Sequence, residues 1–195
     1  MENKEKKLNN ILPKIHLLDE LTINQIAAGE VIENPASVVK ELVENSLDAK
    51  ANKITVEIKA SGRQLIRVID NGCGMDLKNA LASLERHATS KLRKVEDLHS
   101  INSMGFRGEA IPSIASISKC TLYSSPSTNP SEAIHIEIEG GKITNQSSSV
   151  RAQGTTIEVR SLFYNVPARK NFQRSLAADS REIHAILTAQ ALANP

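Results

Sequence analysis

The sequence has no tryptophan, and only two tyrosines and three phenylalanines occur among its 195 residues. So few aromatic rings do not form a stacking platform for single-stranded nucleic acid. The 24 basic and 22 acidic residues nearly balance, so bulk charge does not indicate a nucleic-acid binder either. Composition alone therefore gives no argument for binding DNA or RNA.

Long apolar runs and cysteines are also scarce. No stretch approaches the ~18 continuous apolar residues of a membrane span, and residues 1–14 lack the apolar core of a signal peptide. We therefore expect a soluble, cytoplasmic protein with no membrane partner. Cys73 and Cys120 are too few for a disulfide framework and have no His or Cys at metal-ligand spacing. We expect both to be reduced, structural thiols.

The length and the hydrophobic content of 40% suit one compact domain. We assign residues 15–195 to that domain and predict that the charged residues 1–14 form a flexible, solvated tail.

Hydrophobic periodicity predicts alternating helices and strands. Asn34 is the expected N-cap of the second helix, and Pro35 its first residue. The predicted helices cover residues 22–31, 35–48, 76–85, 109–117 and 180–193, and the predicted strands cover residues 53–59, 65–69, 120–124, 133–139 and 155–160. The first two strands form a hairpin that turns at Ser61 and Gly62. Residues 86–103 and 145–151 are polar and are interpreted as loops.

Glu41 and Asn45 lie at the edge of the apolar arc of the second helix. They are four residues apart and are therefore neighbours on one helix face. A partly buried glutamate can have the raised basicity that a general base needs, and an amide oxygen is a hard ligand suited to Mg²⁺. An ordinary hydrogen bond between the two side chains at the border of the core is the alternative interpretation.

A glycine-rich loop follows the second strand as Asp70-Asn71-Gly72-Cys73-Gly74. Glycines without side chains let a flat ligand approach the backbone. The Asp70 carboxylate can accept a hydrogen bond from an exocyclic amine, which would select adenine. A plain turn is the alternative, because Asp-Asn-Gly is also a common turn signal.

A second glycine pair occurs in Gly105-Phe106-Arg107-Gly108, just before a predicted helix. Free N–H groups at a helix N-terminus favour an anion, which predicts a phosphate site. Neither the P-loop nor the Rossmann pattern is present. The polar loop 86–103 is interpreted as a lid over the ligand. Arg107 either contacts the phosphate or is solvated. Together the three elements predict a site for a nucleotide triphosphate with magnesium.

With these elements in this order, the chain resembles the GHKL ATPase superfamily of gyrase B, large heat-shock chaperones and histidine kinases, and within it the MutL family. The blocks that carry the resemblance are residues 24–32, 35–49, 70–75, 86–91, 105–110 and 162–169. Two of them, Arg86-His87-Ala88-Thr89-Ser90-Lys91 and Phe163-Tyr164-Asn165-Val166-Pro167-Ala168-Arg169, distinguish MutL from the other GHKL families. The resemblance extends from about Ile15 to the end of the chain.

The resemblance implies a fold and a set of residue roles. The expected fold is a two-layer α/β (α+β) sandwich, in which a mixed, mainly antiparallel sheet carries the helices on one face and ATP lies between them. Glu41 would deprotonate the attacking water, Asn45 would hold Mg²⁺, and Asp70 would bind the adenine amino group. The other implied ATP contacts are Gly72 and Gly74 at the base, Gly105, Phe106, Arg107 and Gly108 at the phosphates, Thr89, Ser90 and Lys91 in the lid, and Thr155 beside Asp70.

The resemblance also implies partners. In the family, ATP closes the lid, orders the N-terminal segment and dimerises the domain, which signals between MutS and a downstream nuclease and helicase. Nonspecific DNA binding is likewise a family property. Five basic residues are candidates for such a surface or for simple solvated charge: Arg151, Arg160, Arg169, Lys170 and Arg174. Another GHKL member, or a non-catalytic module that binds MutS or DNA, is the alternative function.

Two departures from the family pattern stand out. Lys50 replaces the usual glycine after Asp48-Ala49. The chain stops at Pro195, before the family's second domain, whose lysine reaches the terminal phosphate, and before its C-terminal dimerisation region. We therefore expect a fragment with weak nucleotide binding and poor turnover.

Overall fold

The structure is a computed structural model and describes residues 15–91, 108–126 and 130–195. Its helices are α1 (Glu20–Val31), α2 (Pro35–Asp48), α3 (Leu77–Ala82), α4 (Ala110–Ser116), α5 (Pro167–Asn171) and α6 (Leu176–Ala193). Its strands are β1 (Ile54–Lys59), β2 (Leu65–Asp70), β3 (Lys119–Ser125), β4 (Ala133–Glu139), β5 (Lys142–Ser149) and β6 (Gly154–Arg160). The strands form one sheet in the order β1-β2-β6-β3-β4-β5.

The two faces of this sheet differ sharply in polarity. Val68, Ile157 and Leu122 form one row across β2, β6 and β3, and belong to the core. In the next row Arg67 faces Glu158, and the two side chains are joined by a salt bridge of 2.7 Å. Because side chains alternate along a strand, one face is apolar and the other is charged. Helices α1, α2, α3, α4 and α6 supply the helical residues of the core that covers the apolar face.

This arrangement confirms the predicted two-layer α/β fold and its mainly antiparallel sheet. Every pair of adjacent strands among the described residues is antiparallel, so the mixed sheet of the prediction is not found there. None of the described helices is long and apolar enough to cross a membrane.

The start of α2 agrees with the sequence prediction. Asn34 Oδ1 accepts a hydrogen bond from the Ser37 N–H at 3.0 Å, and Pro35 is the first helical residue. The cap leaves the apolar arc of the helix facing the sheet, with Val38 fully buried and Leu42 nearly so. Cap and arc together fix the rotation of α2, and therefore the direction in which Glu41 and Asn45 project.

Three other predictions about secondary structure were wrong or incomplete. The polar run interpreted as a loop belongs to β5, an exposed edge strand whose sequence KITNQSSS lacks apolar alternation. The short helix α5 was not predicted. Helix α6 begins at Leu176 rather than at residue 180, because Ser175 caps it and Asp179 is buried in a salt bridge with Arg63 at 2.8 Å.

Candidate functional site

An open cleft of about 1560 Å³ lies along α2, the ends of β2 and β6, the segment 86–91 and the start of α4. Nine of the predicted site residues line it: Glu41, Asn45, Asp70, Gly74, Thr89, Ser90, Lys91, Gly108 and Thr155. Residues that are far apart in the sequence are thus brought to one cavity of a size that holds a nucleotide-sized ligand.

Glu41 lies on the α2 wall of the cleft and is partly buried. Burial raises the pKa of its carboxyl group, and the negative charge of Glu44 adds to the increase, whereas Lys40 and Lys91 oppose it. A carboxylate of raised basicity that faces a cavity is placed to accept a proton from water. The geometry therefore suits the predicted general base.

One turn further along α2, two side-chain oxygens meet a single cation. The Lys91 ammonium lies 2.5 Å from Asp48 Oδ2 and 3.2 Å from Asn45 Oδ1. Carboxylate and amide oxygens are the ligands that Mg²⁺ prefers, and here they already converge on a positive charge. The residues present thus fit a divalent cation. Asp48 was not among the predicted site residues, although its spacing of three from Asn45 puts it on the same helix face.

The Asp70 carboxylate is held at the ends of two strands. Oδ1 accepts hydrogen bonds from the N–H groups of Gly72 at 2.9 Å and Thr155 at 3.0 Å. Oδ2 accepts one from the Ser46 hydroxyl at 2.9 Å. Asp70 is only 8% exposed, so these bonds fix the carboxylate where the cleft begins. The structure thus brings Asp70 and Thr155 together, as the resemblance implied.

The loop glycines have a packing role that sequence reasoning missed. A Cβ on Gly72 would lie 2.8 Å from the Ala49 Cβ, and Gly72 is not among the residues that line the cleft. Gly74 has φ +66°, and a Cβ there would lie 1.9 Å from the main-chain oxygen of Ser125. Both glycines therefore let the loop pack against α2 and β3, which is a different reason for glycine than access of a base.

The other end of the cleft is formed by the segment 86–91 and by Gly108. Thr89 Oγ1 accepts a hydrogen bond from the Lys91 N–H at 3.1 Å. Gly108 has φ +63°, and a Cβ there would lie 2.4 Å from the Ala88 oxygen, so the two segments are in close contact. The predicted phosphate residues Gly105, Phe106 and Arg107, and the predicted loop beyond Lys91 up to residue 103, lie outside the described residues.

Four of the five candidate basic residues contact other groups of the molecule. Arg151 donates to the main-chain oxygens of Tyr123 at 2.8 Å and Asp70 at 3.2 Å, and burial lowers the pKa of its guanidinium. Arg160 contacts Glu158, Arg169 contacts the main-chain oxygen of Gly29, and Arg174 contacts Glu182. All four arginines thus have partners within the molecule, although the side chains of Arg160 and Arg174 remain 48% exposed.

The two cysteines have different environments, and both are free thiols. Cys120 is buried, and burial raises its pKa to about 12, which agrees with a structural role. Cys73 is exposed beside the cleft, so the expectation of a structural thiol was wrong for this residue. Within the described parts of the chain, no group of three or more His, Cys, Asp or Glu side chains is placed to hold a metal.

A comparison of the sequence with known protein families agrees with a cleft that is large enough for a nucleotide. Residues 32–170 match the family described as histidine kinase-, DNA gyrase B-, and HSP90-like ATPase. The chain belongs to this GHKL ATPase family.

Within the family, the curated relatives with which the chain aligns are MutL proteins. It is 50% identical over 184 residues to the DNA mismatch repair protein MutL of Anaeromyxobacter dehalogenans and 51% identical over 182 residues to that of Pelobacter propionicus. These alignments cover 94% and 93% of this chain, and 30% of each relative. The resemblance to the N-terminal GHKL domain of MutL is thereby confirmed, and the chain spans about a third of the length of these relatives.

Solved structures give the same result. The Aquifex aeolicus MutL ATPase domain complexed with ADP matches with a TM-score of 0.63 and 38% identity, over 85% of this chain and 57% of that chain. The N-terminal domain of a DNA repair protein matches with a TM-score of 0.70 and 33% identity, over 85% of this chain and 47% of that one. The fold predicted from the resemblance is therefore shared with known MutL ATPase structures.

Proposed function

We propose that residues 15–195 form the ATP-binding domain of a mismatch repair protein and hydrolyse ATP in the cleft. The observation that carries this proposal is the arrangement of α2, where Glu41, Asn45 and Asp48 face a cavity whose far end holds Asp70. The ADP complex of the Aquifex domain supports a nucleotide as the ligand.

Each side chain has a distinct task in this proposal. The Asp70 carboxylate accepts a hydrogen bond from the adenine amino group, with Thr155 beside it and Gly74 lining the cleft where the base lies. Gly72 is assigned to the base from the motif alone, and it acts by letting the loop pack on Ala49. Glu41 orients a water molecule and accepts its proton while the water oxygen attacks the terminal phosphorus, which releases ADP and phosphate. The raised pKa of its carboxyl group supports this assignment.

The phosphates are assigned to the opposite end of the cleft. Gly108 lines it, and Thr89, Ser90 and Lys91 face it from the lid segment. We assign Gly105, Phe106 and Arg107 to the same end from the motif alone. Asn45 is the proposed Mg²⁺ ligand, and the ion when bound neutralises phosphate charge. Weak nucleotide binding and slow turnover by these 195 residues alone stay a prediction.

The role in repair rests on the relatives, which are all named as mismatch repair proteins. We propose that ATP binding closes the lid, promotes homodimerisation and signals between MutS and a downstream nuclease and helicase on DNA. A cytoplasmic location stays a prediction.

Glu41→Ala in the full-length protein tests the enzymatic proposal. We expect ATP binding to persist while hydrolysis is lost, because the side chain accepts a proton and does not hold the nucleotide. Glu85→Ala, which removes an exposed glutamate of the same charge, is the matched control. Normal turnover by Glu41→Ala would overturn the assignment of the base.

The rival proposal is a module that binds MutS or DNA without catalysis. Equilibrium binding of ATP with Mg²⁺ to the unaltered protein, measured by its shift in melting temperature, distinguishes the two. A shift supports the nucleotide site. Its absence at millimolar ATP would favour the interaction module.

A further inference from the structure

The segment 86–91 contacts α2 through Lys91, whose ammonium group donates hydrogen bonds to two side-chain oxygens of the helix. Lys91 Nζ lies between Asp48 Oδ2 and Asn45 Oδ1, at 2.5 and 3.2 Å. The side chains of Lys91 and Asp48 are only 21% and 13% exposed, so the pair is largely shielded from water. We call the point where Asn45 and Asp48 converge the α2 cation position.

The chemistry of this position suits two different occupants. An ammonium group donates hydrogen bonds to both oxygens, as observed, whereas a divalent cation would take the same oxygens as ligands. The two cannot be present together, because like charges a few ångströms apart in a shielded site repel strongly. Occupation by one therefore requires removal of the other.

We propose that the α2 cation position is occupied alternately by the Lys91 ammonium and by a divalent cation, and that Asp48 is a ligand of both. The inference rests on the proposed function, because the cation is the one that accompanies ATP. Asp48 thereby joins Asn45 in the metal site. The arriving cation displaces Lys91, whose ammonium is then available to the phosphates within the same cleft. Metal binding and displacement of the Lys91 side chain become one event.

Binding of Mn²⁺ alone to the nucleotide-free protein, followed by the electron paramagnetic resonance signal of the free ion, tests the exchange. Lys91→Met removes the competing charge at similar length, and we expect the affinity for Mn²⁺ to rise about five-fold or more. Lys78→Met makes the same change at an exposed lysine of α3 and should leave the affinity unchanged. If Lys91→Met binds Mn²⁺ no more tightly than the unaltered protein, the proposal is wrong.

Acylation of lysines, measured by mass spectrometry, tests the role of Asp48 without any metal. The ion pair should protect Lys91, so Asp48→Asn should raise its acylation rate several-fold relative to that of Lys78. An unchanged acylation rate of Lys91 in a folded Asp48→Asn protein would overturn the proposal. If Asp48→Asn does not fold, the Mn²⁺ measurement on Lys91→Met tests the proposal instead. ATP affinity of the unaltered protein, measured alongside, separates this failure from a failure of the proposed nucleotide site.

Discussion

The two ends of the cleft are held by different kinds of contact. At the Asp70 end, a buried carboxylate accepts hydrogen bonds from the main-chain N–H groups of Gly72 and Thr155. At the Lys91 end, a partly exposed ammonium donates hydrogen bonds to the side chains of Asn45 and Asp48. Main-chain donors that belong to the sheet and its loop cannot move without disturbing the fold, whereas side-chain partners can be exchanged. The Asp70 end is therefore preformed, and the Lys91 end can respond to a ligand.

Among the substitutions that test this difference between the two ends, Gly154→Ala at the Asp70 end should cause the largest loss of stability. Gly154 has φ +122°, and a Cβ there would lie 2.1 Å from the Asp70 main-chain oxygen. Strained backbone and a main-chain clash together should lower the free energy of unfolding by about 3 kcal/mol or more. Urea unfolding measures this loss.

Gly141→Ala is the matched control for Gly154→Ala. Gly141 also has a positive φ of +83°, but its nearest neighbour would be 3.5 Å away, at the Ser116 Cα. Only the left-handed backbone penalises this variant, so we expect a loss of about 1–2 kcal/mol. Equal losses of stability in the two variants would show that the main-chain clash beside Asp70 adds nothing to the backbone strain.

Asp70→Ala should have the next largest effect, because one substitution removes the acceptor of three hydrogen bonds. The N–H groups of Gly72 and Thr155 would be left unsatisfied in a buried place, at a cost of about 2–4 kcal/mol in unfolding free energy. Asp70→Asn retains one acceptor oxygen and should cost less. A stability unchanged in Asp70→Ala would refute the preformed character of this end.

Asn45→Ala probes the Lys91 end and should separate binding from stability. We expect a change of less than about 1 kcal/mol in unfolding free energy, because Asn45 is only one of two partners of Lys91 and is partly exposed. Affinity for ATP should fall in the presence of Mg²⁺ and change little without it. Titration calorimetry in both conditions tests this, and an unchanged affinity with Mg²⁺ would count against a ligand role.

Glu41→Gln should have the smallest effect, and its sign depends on pH. A raised pKa means that the folded protein binds the proton more tightly than the unfolded chain does, so the ionised Glu41 carboxylate costs stability at neutral pH. The variant should therefore melt about 1–3 °C higher near pH 8. The gain should shrink as the pH falls through the folded pKa and vanish below that of unfolded glutamate. A gain that grows towards acid would contradict the shift, and Glu85→Gln serves as the exposed control.

Much of the fold followed from local pattern. The cap at Asn34 and the strands with apolar alternation were predicted because their signals lie within a few consecutive residues. The β5 strand was missed because an exposed edge strand needs no apolar face, and its pairing with β4 is a long-range property. The early start of α6 has a local signal in the Ser175 cap, which the sequence prediction missed, and the buried ion pair of Asp179 with the distant Arg63 holds the first turns in place.

For the site, the sequence alone determined the family, the helix face that carries Glu41 and Asn45, and the presence of an acid at the end of β2, because residue type and helical spacing are local facts. Only the tertiary structure decided that Asp48 and Lys91 form an ion pair and that Gly72 packs against Ala49 instead of lining the cleft. It also decided that Arg151 donates hydrogen bonds to the main-chain oxygens of Tyr123 and Asp70. These outcomes depend on which segments meet in space, and the distances that set electrostatic and packing energies exist only once the chain has folded.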